Sequence, residues 1–194
     1  MSRRRAAEDL DKWFDYNVYA PKRLLYIGDG EGEVDQTMHE LAVKGLTFLD
    51  SWSHDPITIY LNSLGGDWYH GMGIYDLIQS LKSHVTIIVL GHACSISSVI
   101  LQAADDRIMG HHSVMMIHDG SESLYSDCKS VEAWAAQIKP TRERMYQIYL
   151  DRIRQTRSRY TLKQVEKLCE HDHIYTAEQA VKIGLADRVL EKTS

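Results

Sequence analysis

Ser95 lies at the turn between an apolar strand and a helix, in Val89-Leu90-Gly91-His92-Ala93-Cys94-Ser95-Ile96-Ser97-Ser98. A hydroxyl at the mouth of a helix is where serine hydrolases hold a nucleophile. Two residues of the types that activate a hydroxyl follow it. His118 ends the apolar run Ser113-Val114-Met115-Met116-Ile117, and Asp172 lies in Glu170-His171-Asp172-His173. Such a set performs acyl transfer when the imidazole takes the hydroxyl proton and the carboxylate orients the imidazole. Chain order proves nothing, because triads on unrelated folds use different orders. A serine at a helix start is most often only a cap, and Asp172 alone reads as a surface carboxylate.

The second chemical feature is a glycine pair. Ile57-Thr58-Ile59-Tyr60-Leu61 reads as a buried strand, β-branched and apolar. It runs into Asn62-Ser63-Leu64-Gly65-Gly66-Asp67, and a helix with Ile74, Leu77, Ile78 and Leu81 at helical spacing follows. Backbone N–H groups at such a turn can point into a site and hold an oxyanion.

Together these segments resemble the proteolytic subunits of the Clp protease family (ClpP). Asn62-Ser63-Leu64-Gly65-Gly66 is similar to the family's N-S-P-G-G, and Gly71 with Ile74-Tyr75-Asp76 to its G-x-x-I-Y-D. Gly91-His92-Ala93-Cys94-Ser95-Ile96 is similar to its G-Q-A-A-S-M, and Met116-Ile117-His118 to its M-I-H. Asp172 through Ala180, with Gly184-Leu185-Ala186-Asp187, is similar to the family segment that carries the triad aspartate. The resemblance spans about residues 22 to 190. It implies an α/β fold, the ClpP/crotonase-like spiral of strand–helix units with a protruding handle helix. It implies Ser95 as nucleophile, His118 as base and Asp172 as the third member. It also implies an oxyanion hole from the backbone N–H groups of Gly66 and Ile96, with no metal or organic cofactor. The expected activity is that of a serine endopeptidase cleaving unfolded polypeptides. It would act inside a homo-oligomer of two stacked heptameric rings, a tetradecamer, fed by an AAA+ unfoldase.

Several residues depart from the family pattern. The family proline is Leu64, which removes one rigid φ from the glycine turn. Ser97 replaces a glycine, adding a side chain beside the nucleophile that would narrow the first specificity pocket. His118 is followed by Asp119-Gly120 rather than Gln-Pro, so a second carboxylate near the base would favour the protonated imidazole. The segment Ser121 to Ser130 is more polar than the family's groove-lining strand. Pro140 falls inside the long helix expected over Val131 to Arg157 and predicts a kink or break around Ile138 to Thr141. About five extra residues fall within Asp151 to Tyr160.

Alternative readings of these residues are weaker. Cys169-Glu170-His171-Asp172-His173 offers two histidines on one face of an extended segment, but no standard zinc spacing is present. Gly28-Asp29-Gly30-Glu31-Gly32 looks superficially like a phosphate loop, yet Asp29, Glu31 and Glu33 would repel phosphate, so a solvated turn is expected. Two other functions stay open. One is a ClpP-like peptidase acting without an unfoldase, as in viral capsid maturation. The other is a non-catalytic structural ring subunit, which would have no need of Ser95, His118 and Asp172.

With 194 residues, 44% of them hydrophobic, the chain is long enough for one domain with a sizeable core. The expected division is an N-terminal arm over residues 1–21 and a single peptidase domain over 22–194, with the handle at about 121–160. The arm is basic at Arg3-Arg4-Arg5 and then aromatic at Trp13, Phe14, Tyr16 and Tyr19, which suggests docking onto a neighbouring subunit. A net charge of −5 gives no basis for general nucleic-acid binding. No apolar run reaches membrane-spanning length. Three unpatterned cysteines, Cys94, Cys128 and Cys169, fit a reducing, cytoplasmic setting. Leu24 to Ile27 reads as a strand, and Asp35 as the cap of a helix bearing Met38, Leu41, Ala42, Leu46 and Leu49. Further helices are expected over Thr161 to Cys169 and Thr176 to Ile183, the latter stopped by Gly184.

The resemblance also places an arginine that helps join the rings where His171 stands here. Histidine can lose its charge near neutrality where arginine cannot. Ring pairing is therefore expected to weaken as pH rises, read as a shift to smaller species in sedimentation. An identical profile for His171→Arg would contradict this.

Overall fold

The structure is a computed structural model that describes residues 13–28, 33–121, 123 and 125–191. Residues 1–12 of the expected arm, and residues 29–32 of the expected solvated turn, lie outside the described residues.

Strand β1 (Val18–Tyr19) pairs antiparallel with β2 (Leu24–Ile27). β3 (Glu33–Val34) precedes helix α1 (Gln36–Trp52). Asp35 caps α1 as expected, its Oδ1 accepting from the Met38 N–H at 2.8 Å. Met38, Ala42, Leu46 and Leu49 form the buried stripe of α1. β4 (Ile57–Ser63) follows, then β5 (Gly65–Gly66) and α2 (Trp68–Ser80), capped by Asp67. β6 (Val85–Cys94) runs straight into α3 (Ile96–Leu101). Then come β7 (Asp106–Met109), β8 (Val114–Ile117), α4 (Cys128–Thr156), α5 (Leu162–Cys169), β9 (His173–Thr176), α6 (Ala177–Ile183) and β10 (Arg188–Val189).

The main sheet has the order β1-β2-β4-β6-β7-β10, with β8 joined to β6 and β9 joined to β8. Pairings from β2 through β10 along that path are parallel, as alternating strands and helices require. The fold is thus mixed α/β, in agreement with the sequence reading. In β4, Ile57, Ile59 and Leu61 are buried, and the helices α1 and α2 add Leu46, Leu49, Ile74 and Ile78 to the same core.

β6 is longer than its apolar run suggested, and it serves two partners. Thr86 to Val89 pair with β7, whereas His92 to Cys94 pair with β8. Gly91 stands between the halves at φ +116°, where a Cβ would lie 2.3 Å from the Asn62 Oδ1. That oxygen accepts the His92 N–H at 2.9 Å, so the turn needs glycine and Asn62 secures it.

The expected helix break at Pro140 does not occur. α4 runs unbroken for 29 residues with Pro140 inside it. Proline there removes the N–H that would reach the Ala136 carbonyl. Both residues are exposed, so water can take that carbonyl, and the loss falls where it costs least. The buried residues of α4 are confined to its second half, at Met145, Tyr146, Tyr149, Leu150 and Ile153. Before α4, the described residues of segment 121–127 form no strand. The last two expected helices are present, α5 starting after Thr161 and α6 ending at Gly184 with φ 93°.

The far edge is pinned by a buried arginine. Arg107 is 2% exposed and holds Asp187 through its backbone N–H at 2.7 Å and its Nε at 3.1 Å, while Nη1 reaches the Gln102 Oε1 and the Gly184 carbonyl. Burial pushes the Asp187 carboxyl up, but the Arg107 hydrogen bonds and charge outweigh it and hold it below the usual range. A carboxylate with a depressed folded-state pKa contributes stability that is complete above its unfolded value, about 4, and is lost as pH falls through the depressed value. Asp187→Asn should therefore lower the Tm at neutral pH and flatten its decline below about pH 4. Parallel Tm-versus-pH curves for the two proteins would contradict this.

Candidate active site

Two strand ladders flank β8 and set the site. The parallel ladder pairs Cys94 with Met116, and it continues in the 2.8 Å hydrogen bond from the Ser95 N–H to the Met116 carbonyl. The antiparallel ladder pairs Ile117 with His173. One step beyond each ladder, Ser95 and Asp172 stand on either side of His118. The sequence reading named these three from distant segments, and the structure brings all of them together. The Ser95 Oγ is 2.8 Å from the His118 Nε2, and the His118 Nδ1 is 3.1 Å from the Asp172 Oδ1. Asp172 is well exposed and His118 partly buried.

Ser95 has φ 53° and ψ −128°, a conformation that L side chains rarely adopt. Its carbonyl accepts from the Ser98 N–H at 2.9 Å and the Ser98 Oγ at 2.6 Å. The Ser98 Oγ in turn meets the buried Tyr149 hydroxyl at 2.7 Å, which ties α3 to α4. The strained turn is thus held from the strand side by Met116 and from the helix side by Ser98. Cys94 offers no rival nucleophile: burial pushes its thiol up, away from the reactive thiolate.

Gly65 and Gly66 pass directly beside Ser95. A Cβ on Gly65, at φ +113°, would lie 2.6 Å from the Ser95 Cβ. Gly66 pairs with Val34, and the Asp67 N–H donates to the Val34 carbonyl at 2.9 Å. Since N–H groups alternate along a strand, the Gly66 N–H lies on the opposite edge from that bond. Ile96 is the first residue of α3, where the N–H has no intrahelical partner. Gly66, Ile96, Ser95 and His118 line one cleft of about 400 Å³. Its other wall includes Ile138, Thr141, Arg142 and Met145 of α4, together with Trp68. Sequence reading missed these wall residues, because their side chains are 40 or more positions from Ser95 or belong to another helix face.

Two expectations about neighbours are corrected. Ser97 is fully buried and is not among the residues lining the cleft, so it does not narrow the pocket. Asp119 is committed to α4 and not to the base. Its carboxylate accepts from the Tyr146 hydroxyl and from the Arg142 Nη1. The zinc reading finds no support either. Among the described residues no group of three or more His, Cys, Asp or Glu side chains is placed to hold a metal ion. His173 stacks on Tyr175 with ring centroids 4.5 Å apart. No helix among the described residues is long and apolar enough to cross a membrane.

A family model described as Clp protease matches residues 12–193. An ATP-dependent Clp protease proteolytic subunit of Deinococcus radiodurans is 31% identical over 187 residues, covering 92% of this chain and 86% of that protein. The protein of the same description from Carsonella ruddii is 31% identical over 185 residues, covering 94% and 91%. With a match of this length, and with a hydroxyl, imidazole and carboxylate in sequence-distant but adjoining positions, the chain belongs to the Clp protease family of serine endopeptidases.

Proposed function

We propose that the protein is the proteolytic subunit of an ATP-dependent protease, with Ser95, His118 and Asp172 as its catalytic residues. The observation that carries this reading is the 2.8 Å contact between the Ser95 Oγ and the His118 Nε2. Ser95 attacks the scissile carbonyl while His118 takes its proton. His118 then returns the proton to the leaving amine, giving an acyl-enzyme that water hydrolyses by the same route. Asp172 holds the Nδ1–H tautomer and stabilises the imidazolium. The N–H groups of Gly66 and Ile96 receive the oxyanion, each such donor being worth about 3–4 kcal/mol of barrier. Every step is supplied by side chains and backbone amides.

The names of the two relatives support a coarser point about partners: they belong to an ATP-dependent system. On that basis the substrate is unfolded polypeptide delivered by an AAA+ unfoldase, and the chain acts as a homo-oligomer of two stacked heptameric rings in the cytoplasm. Residues 22–194 would form one peptidase domain with an N-terminal arm. The family match and the approach of Ser95 to His118 both disfavour a purely structural subunit.

Ser95→Ala should leave the Tm nearly unchanged while peptide hydrolysis falls to near background. Undiminished turnover in that variant would sink the assignment. Gly65→Ala should lose both activity and about 2–4 kcal/mol of stability, since the new Cβ meets Ser95 at a φ that favours glycine. Denaturant unfolding and peptide turnover measured together check this, and a stable, active Gly65→Ala protein would contradict it.

A further inference from the structure

The base sits one residue beyond the last paired residue of β8, and the chain after it has little to hold it. Gly120 has φ +80° with nothing within 4 Å of a Cβ position, and the described residues between it and α4 form no regular structure. Asp119 is where this stretch is fastened. Its N–H donates to the Cys169 carbonyl at 2.8 Å, at the end of α5, three residues before Asp172. Its Oδ1 accepts from the Tyr146 hydroxyl and its Oδ2 lies 3.2 Å from the Arg142 Nη1, both on α4. Tyr146 is 5% exposed, and burial followed by the Asp119 hydrogen bond pushes its phenol up, so it stays a donor. One residue next to the base therefore joins three elements: the end of β8, the turn leading to Asp172, and the wall of the cleft.

We propose that Asp119 is a positioning residue for His118, locking the base against α4 through Tyr146 and Arg142 and against the Asp172 turn through its amide. This rests on the reading of Ser95, His118 and Asp172 as the catalytic set. Asp119 lies at the margin of the cleft, but its carboxylate is taken up by Tyr146 and Arg142, so its proposed action is through the placement of the imidazole. Without its carboxylate, the chain after residue 118 keeps the β8 ladders and the amide bond to Cys169 but loses its hold on α4. The Ser95–His118 and His118–Asp172 distances then vary together. A misplacement of about 1 Å in such a set costs on the order of a hundredfold in rate.

The test is steady-state hydrolysis of a short fluorogenic peptide by the assembled protein, with native mass and Tm recorded on the same samples. Asp119→Ala should lower kcat about ten- to a hundredfold with KM within about twofold of the parent. Asp119→Asn should recover most of the loss, because its amide oxygen can still accept from Tyr146. Tyr146→Phe, which removes one hydrogen bond and little volume, should lower kcat about two- to tenfold. Unchanged kcat in Asp119→Ala overturns the proposal, and so does a raised KM at unchanged kcat, which would make Asp119 a wall of the substrate site. Where Asp119→Ala does not fold or assemble, Tyr146→Phe decides: a lowered kcat at parental KM and mass supports the proposal, and an unchanged kcat overturns it. Full hydrolysis by Ser95→Ala would instead remove the catalytic reading beneath it.

Discussion

The register of β8 between its two neighbours is the constraint on which the site depends. On one side β8 runs parallel to the second half of β6, and on the other antiparallel to β9. Parallel pairing carries the end of β6, and with it Ser95, to the same end of the sheet as His118. Antiparallel pairing brings the start of β9, and with it Asp172, to that end as well. A slip of one residue in either ladder would turn the side chains to the opposite face and separate the three groups. This explains why β6 must be long and must bend at Gly91. Its first half belongs to the core sheet, and only its second half reaches β8.

Of the three candidate catalytic groups, Ser95 and His118 each sit at the end of an apolar run, where a polar residue appears, whereas Asp172 was named only through the family resemblance. Ser95 follows β6, His118 follows β8 and Asp172 precedes β9. The cap Asp35 was legible because its chemistry is local. What stayed hidden depends on contacts between distant segments. The doubling of β6 onto two partners cannot be read from Val85 to Cys94 alone. Neither can the commitment of Asp119 to Tyr146, which is 27 residues away. Ser97 was misread because adjacency to the nucleophile in sequence does not fix which way a helical side chain points.

Pro140 does not end α4, which stays helical on both sides of it. The ring removes one hydrogen bond, but the exposed first half of α4 can exchange that bond for water, and the buried second half anchors the helix to α3 through Tyr149 and to Asp119 through Tyr146. The same helix forms part of the wall of the cleft that holds Ser95 and His118, and it carries the partners of Asp119. A change in the position of α4 would then be felt at both.

The central claim is that Ser95 is a nucleophile activated by His118. Treatment of the assembled protein with a fluorophosphonate, followed by peptide mapping, tests it most directly. A single adduct on Ser95, formed far more slowly in His118→Ala, is the result expected. Absence of an adduct on Ser95 in a preparation that still hydrolyses peptide, or equal labelling of Ser95 with and without His118, would contradict it.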